Sequence, residues 1–335
     1  MRSAAVQTGT QFHELDHIAP LAALCGMPLL IAEEANFEMC RRFYPQTEAR
    51  HVPDIESQLG FIADEFDALV ECKYWTPQLK HIFKTLYKKE MRLVFCPHGQ
   101  SDKGYRAPLL DPYAWQDQVL VYGELMIRML KDLGVWEKIQ SYSVVGNYRL
   151  KVYEANRPFY DRLAKEAVPL SSGKKTLLYA PTWNDADGAS SFFFAGGKVI
   201  EELPSDWNLI LKVHPLLEQR DPSCFYRIAA LAEQKPNAFL VHEFPPVYPL
   251  LAMADAYLGD ASSVGYDFLY FQRPMFFFPT KPPSRLHSCG KVLDPTKNLY
   301  AQLDEPNLCV KEQKALYGLA FEADVPVRFE AFMEM

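Results

Sequence analysis

The sequence lacks several features that would assign it to a specialised class of protein. Its seven cysteines are odd in number and form no CxxC pair, which argues against a disulfide framework or a zinc ribbon. No uncharged apolar run reaches the roughly 18 residues of a spanning helix, and the longest one, 18–32, contains Pro20, Gly26 and Pro28. The N-terminus shows no basic and apolar segments of a signal peptide. We therefore expect a cytoplasmic protein.

The sequence also lacks an excess of positive charge. Its 35 Lys and Arg residues are outnumbered by 42 Asp and Glu residues, which gives a formal net charge of -7. Because nucleic acids are bound through clustered Lys and Arg, we expect no nucleic-acid partner. A polybasic surface for anionic lipid is missing too, so any membrane contact is predicted to be weak and peripheral.

Short apolar runs alternate with helical segments along the whole chain. The runs are 27–32, 67–72, 91–96 and 118–123 in the first half, and 176–180, 208–213, 237–242, 255–259 and 274–278 in the second. Such alternation is typical of parallel sheets that are covered by helices. We therefore predict an α/β fold with two Rossmann-like domains facing a cleft.

A polar segment between the two series of strands indicates the domain boundary. It ends in Ser-Ser-Gly-Lys-Lys, at residues 171–175. We predict an N-terminal domain over 1–150, a connecting helix and linker over 151–172, and a C-terminal domain over 173–335. The tail after Leu308 is expected to pack back on the first domain.

Small polar residues follow the predicted strand 255–259. They are Asp260, Ala261, Ser262 and Ser263, and the apolar spacing after them predicts a helix over 264–272 with the serines at its N-terminus. The N–H groups of a helix start favour an anion such as a pyrophosphate, and ligands bind at the carboxyl ends of parallel strands. An ordinary Ser N-cap without a ligand is the alternative interpretation.

Two other strands of the second domain end in residues that suit the same site. NLILKVHP places Lys212 and His214 on one face of a strand near its carboxyl end, and TLLYAPTW leaves Thr182 in a loop. We expect these three residues beside Asp260, because parallel strands end at one edge of the sheet. A structural role is the alternative interpretation of His214.

The first domain repeats this layout. His98 and Gly99 follow an apolar strand, and a polar loop leads on to Lys103. Gly99 permits a sharp turn that projects His98 into the cleft. Farther along, Asn147 and Arg149 follow a strand end, and the planar guanidinium of Arg149 suits a phosphate.

The sequence HELDH at 13–17 matches the HExxH pattern of zinc proteases. We assign no metal to it, because Pro20 follows within a turn and no third ligand is apparent. We instead place His13 and His17 in the loop and first turn after the first strand, facing the cleft. The DxD pattern at 185–187 is interpreted as a solvated turn, and the three phenylalanines of 187–198 as a loop cluster packed against the core.

Several motifs together resemble those of the CDP-glycerol glycerophosphotransferases of teichoic acid synthesis. In the order of that family they are His98-Gly99 with Lys103, Gly146-x-x-Arg149, TLLYAPTW, LKVHP and DASSVGYDFLYFQRPMFFF. The resemblance implies a GT-B-like fold and transfer of glycerol phosphate, or a similar polyol phosphate, from a CDP-linked donor to a hydroxyl acceptor. It also implies cell-envelope polymer or glycolipid synthesis at the inner face of the cell membrane. No cofactor is expected.

The resemblance further implies two functional histidines, His98 and His214, and a pyrophosphate-binding turn at 260–263. The predicted donor-binding residues are Thr182, Lys212, Asp260, Ser262, Ser263, Arg149 and Asn147. The predicted acceptor-side residues, in the first domain, are Gly99, Lys103, His13 and His17. An imidazole with a pKa of about 6.5 suits proton removal at neutral pH. We assign this base role to His98, and stabilisation of the transferring phosphate or leaving group to His214.

Two alternatives remain open at this point. A glycosyltransferase or UDP-sugar 2-epimerase of the same fold would share the pyrophosphate site, and a non-catalytic relative would bind a nucleotide without turnover. A lipid-linked acceptor is compatible with the resemblance, but the sequence itself does not identify the acceptor.

Overall fold

A computed structural model describes residues 2–102, 110–183, 190–280, 283–304 and 308–322. The chain forms two compact units. Unit 1 comprises Met1–Gln100, Tyr105–Ala155 and Leu319–Met335, and unit 2 comprises Ser101–Gly104 and Asn156–Gly318. Each unit contains one parallel β-sheet. Within the described ranges, no helix combines the length and apolar character that crossing a membrane requires.

Unit 1 is built on a seven-stranded sheet. Its strands are β1 Ser3–Gln7, β2 Leu29–Ile31, β3 Ala49–His51, β4 Ala68–Glu71, β5 Arg92–Phe95, β6 Gln118–Val121 and β7 Tyr142–Val144. They pair in parallel in the order β3-β2-β1-β4-β5-β6-β7. The chain adds strands on one side of β1 and then on the other, so the order reverses between β1 and β4. Ligands of open α/β sheets bind at the carboxyl ends of strands beside such a reversal.

Helices connect the strands of unit 1, as parallel pairing requires. They are α1 Leu15–Cys25, α2 Glu34–Phe43, α3 Leu59–Glu65, α4 Pro77–Leu86, α5 Glu124–Asp132 and α6 Tyr148–Ala155, with 3-10 helices at Phe12–Glu14, Ile55–Gln58, Asp111–Trp115 and Trp136–Lys138. The expectation that Pro20 opposes a helix is wrong, because α1 continues through it. The missing N–H removes one helical bond, and the buried face with Ile18 and Leu21 keeps the helix in place.

Unit 2 is built on a six-stranded sheet. Its strands are β8 Lys175–Ala180, β9 Trp207–Lys212, β10 Ala238–Val241, β11 Ala256–Gly259, β12 Met275–Phe277 and β13 Lys291–Val292. All described pairs are parallel, in the order β10-β9-β8-β11-β12-β13. The order reverses between β8 and β11, so the loops after these two strands flank the expected ligand position.

The helices of unit 2 include one that the sequence analysis misses. They are α7 Arg157–Ala167, α8 Phe192–Glu201, α9 Leu216–Arg220, α10 Pro222–Glu233, α11 Tyr248–Met253, α12 Ser263–Phe268 and α13 Leu299–Leu303, with 3-10 helices at Leu269–Phe271 and Arg285–Cys289; α14 Val310–Phe321 ends within unit 1. The loop predicted for 187–198 is wrong from Phe192 onward, where α8 begins. Phe192 is buried in the core as expected, whereas Phe194 is 57% exposed.

All nine strands predicted from apolar runs are present, and the α/β fold class is confirmed. The apolar runs do not include β1, β3, β7 or β13, although a first strand is predicted before His13 and a strand end before Asn147. The interior strand β1 is buried along its length, but three of its five residues are Ser or Ala, so it does not stand out as an apolar run of strand-forming residues. The edge strand β3 is largely exposed and polar, and β13 has only two residues.

Candidate functional site

In unit 2, a buried carboxylate joins the loops on the two sides of the strand reversal. Asp260, the first residue after β11, is 1% exposed. Its Oδ2 accepts hydrogen bonds from the backbone N–H groups of Thr182 and Ser191, each at 3.0 Å. Because Thr182 lies just after β8, the carboxylate fixes one loop to the other. The predicted donor residues Thr182 and Asp260 therefore meet where α/β sheets bind ligands.

Ser262 and Ser263 lie at the start of α12, which with the following 3-10 helix accounts for the predicted helix 264–272. Ser262 has an extended backbone, and its side chain makes no capping bond to the helix. Its hydroxyl instead lies 3.3 Å from the hydroxyl of Tyr257. Both serines are partly exposed. An ordinary N-cap bond therefore does not account for Ser262.

β9 brings Lys212 and His214 to the same edge of the sheet, but not in the predicted way. The strand ends at Lys212, and His214 lies in the turn before α9, so the two do not share one face of a strand. The chain leaves the sheet here, and Pro215 is the N-cap residue directly before α9. The Leu216 N–H donates to Nδ1 of His214 at 3.2 Å. An accepting Nδ1 carries no proton, so the neutral ring presents its Nε2–H as a donor.

His242, which the sequence analysis does not identify, lies beside Lys212. It follows β10, whose last residue pairs with Lys212. Its Nε2 is 3.2 Å from Oε2 of Glu218. Burial lowers the pKa of His242, Glu218 opposes this, and the charge of Lys212 lowers the pKa further. The sequence does contain a signal for His242, because the predicted strand 237–242 ends in a histidine, as the motif LKVH at 211–214 also does.

In unit 1, three histidines from two separate motifs lie together. The ring centroid of His98 is 5.8 Å from that of His13 and 6.4 Å from that of His17, edge-on in both pairs. His98 follows β5, whereas His13 and His17 belong to the 3-10 turn and helix after β1. The structure thus joins the predicted base to two of the predicted acceptor-side residues.

The imidazole of His98 interacts with the backbone of the neighbouring strand. Hydrogen bonding with the backbone of Cys72, the residue after β4, acts to raise its pKa. The side chain is solvent-accessible, yet desolvation by the surrounding protein lowers its pKa; the bond to Cys72 opposes this, and the charge of Lys73 adds to it. A neutral His98 whose first nitrogen is engaged leaves the second to accept a proton. Gly99, with φ of 119°, supplies the turn in a region that favours glycine.

Asn147 and Arg149 belong to unit 1, whereas the loops after β8 and β11 belong to unit 2. Arg149 is 4% exposed, and its Nη1 lies 2.7 Å from Oδ2 of Asp16. The side-chain oxygen of Asn147 accepts the Leu150 N–H at 3.2 Å near the start of α6. Burial lowers the pKa of His17 well below its ordinary value, and the charge of Arg149 adds to this effect. Donor binding by Asn147 and Arg149 stays a prediction.

A buried acidic cluster, also missed by the sequence analysis, lies at the strand reversal of unit 1. Glu14 is 4% exposed, and burial raises its pKa to about 7. Lys73 Nζ lies 3.8 Å from Oε2 of Glu14 and donates to the Thr8 carbonyl. Glu71 at the end of β4 accepts bonds from the N–H and hydroxyl of Thr8, which follows β1. No sequence pattern links these residues, because the two strands are far apart in the chain.

The remaining predictions concern metal and Lys103. Among the described side chains, no group of three or more His, Cys, Asp or Glu is placed to hold a metal ion. His13 precedes α1 in a 3-10 turn, so the two histidines of HELDH are not carried by one α-helix. Lys103 and the DxD pattern at 185–187 lie outside the described residues.

Comparison with known proteins identifies relatives of the second half of the chain most clearly. A family model for CDP-glycerol:poly(glycerophosphate) glycerophosphotransferase matches residues 144–284, a range that includes His214 and the serine turn. The chain is also 27% identical over 175 residues to the teichoic acid glycerol-phosphate primase of Bacillus spizizenii. That alignment covers 50% of this chain and 41% of the primase, so the chain matches less than half of that relative.

Solved structures share the fold of almost the whole chain. The wall teichoic acid polymerase TagF superposes with a TM-score of 0.65 and 16% identity over 95% of this chain and 84% of that one. The UDP-GlcNAc 2-epimerase of Neisseria meningitidis, bound to UDP-GlcNAc, gives a TM-score of 0.58 and 13% identity over 98% and 96% of the two chains. These similarities confirm the GT-B-like fold class. Over residues 144–284 the chain thus matches the CDP-glycerol:poly(glycerophosphate) glycerophosphotransferases, and the resemblance predicted from its motifs is confirmed.

Proposed function

We propose that the chain is a transferase that moves glycerol phosphate, or a similar polyol phosphate, from a CDP-linked donor to a hydroxyl acceptor. One observation carries the proposal: in unit 2, Asp260 fixes the loops after β8 and β11 beside the start of α12, within the range that the family model matches. The name of that family and of the Bacillus primase supports CDP-glycerol as the donor and teichoic acid as the product.

The donor pyrophosphate is proposed to bind at the serine turn. Small side chains at 261–263 let a phosphate approach the backbone N–H groups of α12, where the helix dipole favours negative charge. Lys212 supplies a full positive charge from β9. The Nε2–H of His214 donates a hydrogen bond to the transferring phosphate or to the leaving group, which bears the charge that develops in the reaction.

The reaction is a displacement at phosphorus. The acceptor hydroxyl gives its proton to the second nitrogen of His98, and its oxygen forms a bond to the phosphorus that bears the glycerol. The bond from that phosphorus to the bridging oxygen breaks, and cytidine monophosphate leaves. Positioning and charge stabilisation supply most of the catalysis in such transfers. The hydrogen bonding of His98 with the Cys72 backbone supports this assignment, because it engages one ring nitrogen and leaves the other basic.

The finer part of the proposal is a lipid-linked acceptor at the inner face of the cell membrane, reached through weak peripheral contact. Its support is that the curated relative is named as a primase of teichoic acid. The glycosyltransferase or UDP-sugar 2-epimerase remains the second candidate, because the Neisseria epimerase shares the fold over nearly the whole chain.

A donor screen separates these candidates. Thermal shift is measured with CDP-glycerol, CDP-ribitol and UDP-GlcNAc, and release of cytidine monophosphate is followed with a glycerol-phosphate-terminated acceptor. A shift and release specific to the CDP-linked donors support the proposal. A shift specific to UDP-GlcNAc would favour the second candidate, and binding of CDP-linked donors without turnover would indicate a non-catalytic relative.

The assigned base gives a direct prediction. His98→Ala should lower turnover by roughly 10²- to 10⁴-fold or more and leave CDP affinity largely intact. His214→Ala should lower both turnover and donor affinity. His81→Ala, on the exposed face of α4, is the control and should behave as the unaltered protein. Near-normal turnover in His98→Ala would remove the proposed mechanism.

A further inference from the structure

The hydroxyl of Tyr122 contacts the chain on both sides of His98. Tyr122 directly follows β6. Its hydroxyl donates to the carbonyl of Pro97 at 2.8 Å and accepts from the N–H of Gly99 at 3.1 Å. Nδ1 of His17 lies 2.9 Å from the same oxygen. One side chain therefore contacts the residue before His98, the residue after it and a second histidine.

The protons of this group can be placed by elimination. A carbonyl only accepts, so the single hydroxyl proton of Tyr122 points to Pro97. A backbone N–H only donates, so Gly99 uses one lone pair of the tyrosine oxygen. Since the hydroxyl proton is already used, the contact with His17 must be a donation from Nδ1–H to the tyrosine oxygen. Each group in this network has a compatible partner, which is the condition under which a buried polar network is rigid.

The tyrosine ring itself is held by aromatic packing. Tyr122 is 1% exposed. Its ring is stacked on that of Tyr148, with centroids 6.0 Å apart and an interplanar angle of 8°, and Phe321 packs edge-on at 6.0 Å. Burial raises the pKa of Tyr122 well above its ordinary value, so the hydroxyl keeps its proton. The oxygen that holds residues 97 and 99 is thus fixed in position.

We infer that Tyr122 is a positioning residue that holds the 97–99 turn, and with it the imidazole of His98, in one orientation for proton transfer. This rests on the base role of His98 in the proposed function. Without the tyrosine oxygen, the Pro97 carbonyl and the Gly99 N–H lose the hydrogen-bond partner that they share. The 97–99 turn is then no longer held to Tyr122, and the position of the His98 imidazole relative to Cys72 is no longer fixed. Small misplacement of a reacting group lowers the rate steeply.

Tyr122→Phe tests the inference, with Tyr300→Phe as the matched control. Tyr300 is a buried tyrosine of unit 2 whose hydroxyl also donates to a backbone carbonyl, that of Val199 at 2.9 Å. Tyr122→Phe should lower kcat by about 10²-fold, leave CDP affinity within about twofold and shift the acid limb of the pH–rate profile. Tyr300→Phe also removes a buried hydroxyl and its hydrogen bond, but it should keep kcat. Equal kcat in the two variants would overturn the inference.

Two measurements do not depend on turnover, and the first of them uses the unaltered protein alone. In the unaltered protein the Gly99 amide should exchange with solvent as slowly as the buried amides of β6, and fast exchange would contradict the inference. The ¹⁵N shifts of His98 should show one neutral tautomer in the unaltered protein and an average of two in Tyr122→Phe. Normal turnover in His98→Ala would contradict the proposed function. Normal turnover in Tyr122→Phe together with reduced turnover in His98→Ala would contradict only the inference about Tyr122.

Discussion

At the scale of single residues, Ser263 tests the donor site by charge. A carboxylate in Ser263→Asp would lie where the proposed pyrophosphate binds, and two like charges about 4 Å apart near a protein surface repel by roughly 4 kcal/mol. We expect CDP affinity to fall at least about tenfold, as measured by titration calorimetry. Ser205→Asp is the control, because Ser205 is exposed at the amino end of β9, across the sheet from the site. Unchanged CDP affinity in Ser263→Asp would remove the pyrophosphate assignment.

Glu14 makes the stability of the protein depend on pH. Burial raises its pKa from 4.5 to about 7, so the folded state binds more protons than the unfolded state between these values. Stability contributed by this residue is therefore lost as the pH rises through that window. At 1.36 kcal/mol for each pKa unit, the loss is on the order of 3 kcal/mol by pH 8. Glu71, whose pKa is also raised by burial, acts in the same direction.

Glu14→Gln should remove this dependence. Urea unfolding at pH 5, 6, 7 and 8 should show the variant gaining stability relative to the unaltered protein as the pH rises. His17 makes stability change with pH in the opposite direction, because its pKa is lowered in the folded state. Since both proteins contain His17, its contribution cancels in the comparison. Glu56→Gln, at an exposed carboxyl group, should show no such trend. A stability difference that stays constant from pH 5 to pH 8 would contradict the raised pKa.

Sequence reasoning at this scale identified residue types better than their partners. His98, Lys212 and the serines lie at or just after the ends of strands, and a pattern of apolar runs is enough to locate them. The Cys72 backbone and Glu14 could not be found in this way, because each depends on which strand lies next to which. The pairing of β4 with β5 brings the chain after Glu71 near the chain after Phe95, and local sequence does not encode that neighbour.

At the scale of elements, α12 packs so closely against the 3-10 helix Arg285–Cys289 that there is no space for one more carbon atom at Gly265. A Cβ at Gly265 would lie 2.8 Å from Cδ1 of Leu286, which is fully buried. Gly265→Ala should therefore destabilise the protein by about 1–3 kcal/mol. Leu286→Ala removes the obstructing atom, so the double variant should be more stable than the sum of the single effects by about 0.5–3 kcal/mol. Denaturant unfolding of all four proteins measures this coupling.

Gly196→Ala serves as the control for that cycle. A Cβ at Gly196 in α8 would meet the side chain of Ile228 at 3.5 Å, an ordinary contact. Replacing a glycine within a helix then stabilises by up to about 1 kcal/mol. Strict additivity of Gly265→Ala and Leu286→Ala would show that the two elements do not restrict each other.

The elements differ in how far their sequence determines them. Strands buried on both faces stand out as apolar runs, which is why nine could be placed from sequence. β1 could not, because Ala and Ser fill a crowded central position without a strong strand preference. α8 could not, because three phenylalanines and two glycines are weak helix formers, and packing against α10 overrides that preference.

At the scale of the whole molecule, the assignment of the donor to unit 2 predicts where a nucleotide protects the backbone. Hydrogen exchange with saturating CDP should slow at the ends of β8 and β11 and at the start of α12, because a bound ligand suppresses local opening there. The amides of β2 and β3 in unit 1 serve as the internal reference. Protection by CDP that is confined to unit 1 would reverse the assignment.

The division of the chain into units follows less directly from sequence than the strands do. The polar segment 144–175 indicated a boundary, and the units divide between Ala155 and Asn156. Ser101 and Asp102 nevertheless group with unit 2, and residues 319–322 group with unit 1. In the latter, the N–H of Glu124 donates to the carbonyl of Glu322 at 2.8 Å. Segments that group with the other unit in this way are determined by tertiary contacts, which composition and periodicity do not reveal.

The parallel direction of the strands also determines where the molecule can be labelled. Since every described strand pair runs parallel, loops fall into two sets at opposite edges of each sheet. The carboxyl-end set carries His98, His214 and Asp260. The amino-end set, which includes the exposed turn at 205–206 before β9, carries none of them. Exposed turns tolerate insertions best, so a fluorophore or affinity tag there would report on the protein from the edge opposite its chemistry.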